Sequence, residues 1–123
     1  MQKILLISFL GVLGVLSRHL LETRFGNKGE LLPLGTFLAN ILGCFAAGLV
    51  YQYMTLKTNN QEIASIVLVG FCGGLTTFSG YALTSLNDLH EGAFLKAIAY
   101  LLLSPLLGIL AAFIGMKVFK LVL

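Results

Sequence analysis

Charged residues are scarce in this chain of 123 residues, at 11% Lys, Arg, Asp and Glu together, and 58% of the residues are hydrophobic. Soluble domains carry about 25% charged residues, so the composition excludes a soluble fold and predicts an integral membrane protein. Four stretches contain no charge at all, at 4–17, 31–56, 63–87 and 97–116. Because a helix that spans a bilayer needs about 20 residues, we predict an all-α protein with one four-helix transmembrane domain over 1–123. Its helices are expected near 3–23, 33–56, 62–87 and 94–120.

The chain also lacks the side-chain clusters that enzymes and metalloproteins use. It has two histidines, two cysteines and no tryptophan. Neither His19 nor His90 has a second His or Cys at ligand spacing, and we interpret Cys44 and Cys72 as small apolar packing residues. The net charge of +3 is modest and forms no basic stripe for nucleic acid. The sequence therefore predicts no enzyme and no nucleic-acid partner, but a multi-pass protein in the lipid bilayer of the cell membrane.

Positive charges are balanced between the two ends of the predicted helices. Both termini and the 57–62 loop share one side, which carries four cations: Lys3, Lys57, Lys117 and Lys120. The other side also carries four: Arg18, Arg24, Lys28 and Lys96. The positive-inside rule compares such counts, and the difference of 4 − 4 = 0 predicts no preferred orientation. Either a count this small is uninformative, or the chain inserts in both orientations.

The third uncharged run has a weak centre. Four glycines fall within 70–81, although each glycine in a helix interior costs about 1 kcal/mol relative to alanine. A continuous helix with a glycine packing stripe is one interpretation. We favour a helix broken in mid-membrane near 74–77. Non-helical backbone at that depth requires protein or a water-filled cavity to satisfy it, and its free carbonyls could bind a cation.

Polar residues also lie at membrane depth in the second and fourth runs. Burying an amide without a partner costs several kcal/mol, so Asn40 must bond a neighbouring helix or a permeant species, and both alternatives stay open. Pro105 leaves the carbonyl of Leu101 without its helical donor. Ser104 either bonds its own helix backbone or joins Tyr100 in a polar track. Helical spacing predicts a shared face of the fourth helix, formed by Ala97, Tyr100, Ser104, Gly108, Ala111 and Gly115.

The first run, 4–17, is too short to span a bilayer alone. The first helix must therefore continue past Arg18, which then snorkels to the interface or lines an aqueous space. Glu22 follows Arg18 by four residues, and this spacing predicts a local ion pair.

Together these residues resemble the Fluc/CrcB family of fluoride channels, over the whole chain. The specific motif is Gly70-x-x-Gly73-Gly74-x-Thr76-Thr77-Phe78-Ser79 in the third helix. The weaker motifs fall in the expected order: Gly14-x-x-x-Arg18, Gly35-Thr36-x-x-x-Asn40-x-x-Gly43, and then Tyr100 with Ser104.

The resemblance implies a fluoride-selective channel that exports cytoplasmic fluoride passively and so confers fluoride resistance. It implies an antiparallel, dual-topology dimer with two pores along its interface. A structural Na⁺ would lie at the centre of the dimer, held by the backbone carbonyls of Gly74 and Thr77, and Arg18 would lie near an aqueous vestibule. The pore residues that the resemblance implies are Asn40, Thr76, Phe78, Tyr81, Tyr100 and Ser104.

The chain departs from the family pattern after Ser79. The pattern continues Thr-Phe-Ser-x-Glu, whereas residues 80–84 place Tyr81 at the second phenylalanine and Thr84 at the acidic residue. Some members of the family work as pairs of different subunits, so the alternative to a homodimer is a heterodimeric channel that needs a related partner. A small multidrug transporter is a further alternative. Such a transporter requires a carboxylate deep within the first helix to exchange protons for a cationic drug, and this chain has no Asp or Glu before Glu22.

Overall fold

The computed structural model describes residues 1–26, 31–56 and 61–122, and within them it contains helices and no strand. The elements are α1 (Gln2–Phe25), α2 (Leu34–Leu56), α3 (Gln61–Val67), a π-helix (Leu68–Cys72), α4 (Gly73–Leu75), α5 (Phe78–His90) and α6 (Phe94–Val122). Four stretches are long and apolar enough to cross a membrane: α1, α2, Gln61–His90 and α6. The all-α prediction with four such helices is confirmed. Lys28 and Lys57, which entered the charge count, lie outside the described residues.

Local sequence explains where the helices begin and end. Gly26 follows α1 with φ of 65°, a conformation open to glycine because it has no β-carbon, and its N–H donates to the Glu22 carbonyl at 3.0 Å. Pro33 precedes α2, where its fixed φ suits a helix start, and its carbonyl accepts from the Phe37 N–H at 2.9 Å. Gly92, with φ of 74°, makes the turn between α5 and α6.

Close backbone contacts at small residues join α2 to α6. A β-carbon added at Gly48 would collide with the Ala112 carbonyl, and one added at Gly115 would collide with the Phe45 carbonyl. Small residues allow such approach between helices in a membrane, where van der Waals packing drives association. The residues of α6 that are buried are Ala97, Tyr100, Ser104, Gly108, Ala111 and Gly115. This set confirms the face that helical spacing predicts.

Glycines also bring α1 against the third span. A β-carbon at Gly14 would meet the Phe71 carbonyl and the Leu75 amide nitrogen, and one at Gly74 would meet the Gly11 carbonyl. These contacts hold the segment that precedes the interruption of the third span. The α5 segment beyond the interruption packs instead on α6. The two halves of the third span therefore have different neighbours.

Candidate functional site

The third span is interrupted at two threonines. The helical bonding of α4 ends where the Thr76 N–H donates to the Cys72 carbonyl at 3.0 Å. Thr76 is extended, with φ −84° and ψ 153°, and Thr77 is extended, with φ −144° and ψ 116°. Helix α5 then begins at Phe78. The interruption removes helical hydrogen bonds, so its peptide groups need partners from other elements.

Asn40 of α2 supplies partners to both sides of Thr77. Its Oδ1 accepts from the Thr77 N–H at 2.7 Å, and its Nδ2 donates to the Thr77 carbonyl at 3.3 Å. The amide therefore substitutes for helical bonds that an extended residue cannot make. Of the two alternatives for Asn40, bonding to a neighbouring segment is the one observed. An amide NH₂ carries two protons, so the second Nδ2 proton is available to another acceptor.

The Thr77 side chain caps α5. Its Oγ1 accepts from the Gly80 N–H at 2.9 Å and lies 3.2 Å from the Ser79 Oγ. Threonine at this position satisfies one of the amides that a helix start leaves free. The Thr76 hydroxyl turns back along its own segment and donates to the Cys72 carbonyl at 2.9 Å.

A cavity of about 420 Å³ lies beside the interruption, between α2, α5 and α6. Its walls contain residues from all three helices: Asn40, Cys44, Thr76, Thr77, Phe78, Tyr81, Ser104, Pro105, Gly108, Ile109 and Ala112. Five of the six residues expected to line a pore belong to this set, and Tyr100 is the exception. The cavity is open on the surface of the chain, where the Phe78 ring is 80% exposed.

Aromatic rings form a row at one wall of the cavity. The Phe78 and Tyr81 ring centroids are 5.7 Å apart at an interplanar angle of 39°, and the Tyr81 and Tyr100 centroids are 5.1 Å apart at 64°. Edge-to-face and tilted pairs of this kind suit the quadrupoles of aromatic rings. Tyr100 is fully buried behind Tyr81, and its hydroxyl has no hydrogen-bond partner within the described part of the chain.

Ser104 presents a free hydroxyl to the cavity. It is buried and lines the wall. No hydrogen bond from its Oγ exists to any residue in the described ranges, so the alternative in which it bonds its own helix backbone is wrong. Its hydroxyl is a donor that faces the cavity without competition from a protein acceptor.

Two of the implied site residues lie away from this cavity. Gly74 packs against α1, and Arg18 is a half-exposed residue of α1. The predicted ion pair between Arg18 and Glu22 is wrong, since neither residue makes one with any group in 1–26, 31–56 or 61–122. The Glu22 Oε1 instead accepts from the Thr36 hydroxyl at 3.2 Å, because Gly35 lets the start of α2 approach the backbone at Glu22.

Sequence reasoning missed five lining residues of the cavity: Cys44, Pro105, Gly108, Ile109 and Ala112. Cys44 follows Asn40 by one helical turn, and Gly108 follows Ser104 by one turn, so each shares a face with a predicted residue. That spacing was the available signal. Ile109 and Ala112 gave no such signal, because the sequence of a uniformly apolar helix does not indicate which of its apolar residues face a cavity.

A profile described as "CrcB-like protein, Camphor Resistance (CrcB)" matches residues 5–116. The chain belongs to this CrcB-like family. It is 36% identical over 115 residues to the fluoride-specific ion channel FluC of Hahella chejuensis, covering 92% of this chain and 91% of that protein. It is 37% identical over 121 residues to the FluC of Leptospira interrogans serovar copenhageni, covering 97% and 95%.

The CrcB-like chain is also 36% identical over 116 residues to the fluoride-specific ion channel FluC of Phocaeicola vulgatus, covering 94% and 96%. These relatives are named as ion channels and not as enzymes. Family membership confirms the resemblance drawn from the glycine–threonine motif of the third span. Because the matches run over nearly the full length of both chains, they include the interruption and all three helices around the cavity.

Proposed function

We propose that this CrcB-like chain forms a fluoride-selective channel that exports cytoplasmic fluoride passively across the cell membrane. Its relatives carry the name of fluoride-specific ion channels. The observation that carries the proposal is the wall of the cavity, which combines an amide, a free hydroxyl and an aromatic ring. None of its lining residues is Lys, Arg, Asp or Glu.

Neutral donors suit a small anion that must move. A pore has to replace the hydration shell of the ion while binding weakly enough for the ion to leave. The remaining Nδ2 proton of Asn40 and the Ser104 hydroxyl are such donors. The edge of the Phe78 ring carries the positive end of its quadrupole and adds a weak attraction. A full positive charge in the wall would hold fluoride and slow its release.

The pore requires a second copy of the chain. The cavity is open on the surface of one subunit, and the exposed Phe78 ring leaves an apolar edge that a partner would cover. An antiparallel arrangement of two copies would form two equivalent pores along the interface. The interruption at Thr76–Thr77 would then lie in mid-membrane near the centre of the dimer, and Arg18 would lie near an aqueous vestibule.

Carbonyls at the interruption fit a structural Na⁺. No backbone amide of α5 bonds the Gly74 carbonyl across the interruption within the described residues. The Thr77 carbonyl accepts one bond from Asn40, at 3.3 Å, and a carbonyl oxygen has two lone pairs. Both are uncharged oxygen ligands of the kind that hard cations bind in discontinuous helices. Gly74 and Thr77 of each copy would hold the ion, whose charge would stabilise the meeting of two interrupted helices.

A heterodimeric channel with a related partner is the second candidate. The observation that favours it is the departure at residues 80–84, where Tyr81 and Thr84 stand in place of the Phe and Glu of the family pattern. Thr84 removes a carboxylate from α5. If a partner supplied that carboxylate, one pore of the pair would differ from the other.

The experiment that tests the proposal is fluoride efflux from proteoliposomes that hold this protein alone, in Na⁺ buffer, measured with a fluoride electrode. We expect rapid efflux of fluoride and none of chloride. Phe78→Ile removes the ring edge at similar volume and should reduce fluoride efflux. Phe9→Ile on the exposed face of α1 is the matched control and should leave efflux at the wild-type rate.

Absence of efflux from monodisperse wild-type protein would contradict a self-sufficient channel. Efflux that appears only when a related chain is co-reconstituted would establish the heterodimer. Equal rates for Phe78→Ile and the wild type would remove the Phe78 ring from the conduction path.

A further inference from the structure

Pro105 removes one backbone hydrogen bond from the helix that lines the cavity. It lies inside α6, where proline has no amide proton to donate to the carbonyl four residues earlier. The carbonyl of Leu101 therefore lacks its helical donor. In a membrane, such a carbonyl requires a replacement donor from a side chain, a neighbouring helix or water.

The replacement donor comes from the neighbouring helix. The Tyr81 hydroxyl of α5 donates to the Leu101 carbonyl at 2.9 Å, within the normal range for such a bond. The serine beside the proline does not serve, since the Ser104 hydroxyl bonds no group in the described residues. The Leu101 carbonyl of α6 thus receives its hydrogen bond from Tyr81, a side chain that also lines the cavity.

We propose that Tyr81 is a positioning residue whose hydroxyl, by binding the Leu101 carbonyl that Pro105 frees, ties α5 to α6 and sets the orientation of the Tyr81 ring in the cavity wall. A phenol has one proton, and this proton is committed to the carbonyl. The Tyr81 hydroxyl is therefore not a donor to fluoride. Its ring, held between Phe78 and Tyr100 at centroid distances of 5.7 Å and 5.1 Å, is the part that contributes to the pore.

The structure thus pairs two residues that are distant in the chain. Without Pro105, the Leu101 carbonyl would already accept from the amide of residue 105, so the Tyr81 hydroxyl would not be needed to satisfy it. Pro105 without Tyr81 would leave a carbonyl unsatisfied. The hydrogen bond itself does not depend on the proposed function, whereas the effect of the ring on transport does.

A double-mutant cycle tests the pairing. The four proteins are the wild type, Tyr81→Phe, Pro105→Ala and the double variant. Pro105→Ala restores an amide donor to the Leu101 carbonyl and so makes the phenol redundant. Each protein is unfolded reversibly in mixed detergent micelles, and its fluoride efflux is measured after reconstitution. Tyr51→Phe, which removes a hydroxyl from a ring that is 52% exposed on α2, is the matched control in both backgrounds.

We expect Tyr81→Phe to lower the folding equilibrium constant roughly tenfold when Pro105 is present, because the half-buried Leu101 carbonyl loses the side-chain donor that replaces its missing helical amide. In the Pro105→Ala background the same change should lower it less than about twofold, since the carbonyl keeps a backbone donor. Fluoride efflux per folded protein should fall with Tyr81→Phe and stay low in the double variant, because the amide that Pro105→Ala restores satisfies the carbonyl but does not hold the ring at position 81. Tyr51→Phe should act equally in both backgrounds.

If Tyr81→Phe lowers the folding equilibrium constant equally with Pro105 present and in the Pro105→Ala background, the proposed pairing of Tyr81 with Pro105 is wrong. If the unfolding measurements show coupling between the two changes but Tyr81→Phe leaves fluoride efflux unchanged, the hydroxyl does not position the ring for transport. Coupled unfolding with no efflux from any of the four proteins would support the hydrogen bond and contradict the proposed function. If Pro105→Ala does not fold, Pro105→Gly restores the same amide donor and completes the cycle.

Discussion

At the scale of single residues, the site depends on side chains that satisfy backbone groups. Asn40 bonds both the N–H and the carbonyl of Thr77, and Tyr81 bonds the carbonyl of Leu101. Each of these carbonyls or amides would otherwise lack this partner, at a cost of about 1–3 kcal/mol. The second Nδ2 proton of Asn40 and the Ser104 hydroxyl proton are the donors that we propose for fluoride.

Asn40→Asp separates the structural part of this role from transport. The carboxylate still accepts from the Thr77 N–H but no longer donates to the Thr77 carbonyl, so efflux is compared per folded protein. It loses both Nδ2 protons and adds a negative charge, and like charges about 4 Å apart repel by about 4 kcal/mol at an effective dielectric constant of 20, so fluoride efflux should fall by about a hundredfold or more. The measurement is efflux from proteoliposomes containing folded protein.

The control for this variant is Gln52→Glu, which adds a carboxylate to the same helix outside the cavity. It should retain wild-type efflux. Efflux by Asn40→Asp at a rate close to that of Gln52→Glu would show that fluoride does not pass close to Asn40.

At the scale of the elements, the interruption of the third span is possible because its two halves have separate supports. The first half packs against α1 through Gly14 and Gly74, and α5 packs against α6. Asn40 and the Thr77 cap hold the extended residues between them. The backbone carbonyls proposed to bind Na⁺ are therefore positioned by glycine contacts on one side and by a helix start on the other.

Gly14→Ala should disrupt the support from α1. Its β-carbon would meet the Leu75 amide nitrogen at 2.7 Å and the Gly74 carbonyl carbon at 3.0 Å. Backbone cannot yield as a flexible side chain does, so we expect a loss of about 1–3 kcal/mol in the free energy of unfolding. Reversible unfolding in mixed micelles measures it.

Gly11→Ala is the matched control on the same helix. The nearest heavy atom to its added β-carbon is the Gly70 carbonyl oxygen at 3.9 Å, an ordinary contact. It should be neutral or stabilising by up to about 1 kcal/mol, because alanine favours helix more than glycine does. Equal destabilisation by both changes would mean that close approach at Gly14 is not what holds α1.

At the scale of the whole molecule, the proposed antiparallel dimer requires that the chain enter the membrane in both orientations. The equal numbers of cations on the two sides, 4 and 4, are consistent with this requirement. Since short loops with more Lys and Arg stay in the cytoplasm, a balanced chain would divide between the two orientations. Any added bias would then leave subunits without antiparallel partners.

Gln2→Lys combined with Gln61→Lys raises the count on the side of the termini from 4 to 4 + 2 = 6. We expect most chains to keep their termini in the cytoplasm and fluoride efflux per protein to fall. Orientation is read from C-terminal fusions to a reporter active only in the cytoplasm and to one active only outside it. Gln2→Asn with Gln61→Asn is the uncharged control and should match the wild type.

Co-expression of this variant with one biased in the opposite sense should restore efflux. If the wild-type fusions report a single orientation, the antiparallel dimer of identical chains is wrong. A channel formed with a different, oppositely oriented partner would then be required.

The sequence alone was enough to predict the membrane class, the four helices, the buried face of α6 and the family. These follow from composition and from helical spacing, which are local properties, and from a motif of small residues that few other folds need. The weak centre of the third run also indicated a break near 74–77, because glycines and threonines do not favour a continuous helix there. The mid-membrane position of that break and the dimer remain proposals.

The tertiary structure alone decided the partners. Helical spacing predicted an ion pair between Arg18 and Glu22. In the structure, α2 approaches α1 closely at Gly35, and Glu22 accepts a hydrogen bond from Thr36 instead. The sequence showed that Leu101 needed a donor, and only the packing of α5 on α6 identified Tyr81 as that donor. Likewise, the sequence left open whether Asn40 bonds a neighbouring segment or an ion. The orientation of α2 in the structure places the Asn40 amide against Thr77. Helical periodicity determines which residues share a face, whereas the group opposite that face depends on how the helices rotate and how closely they approach.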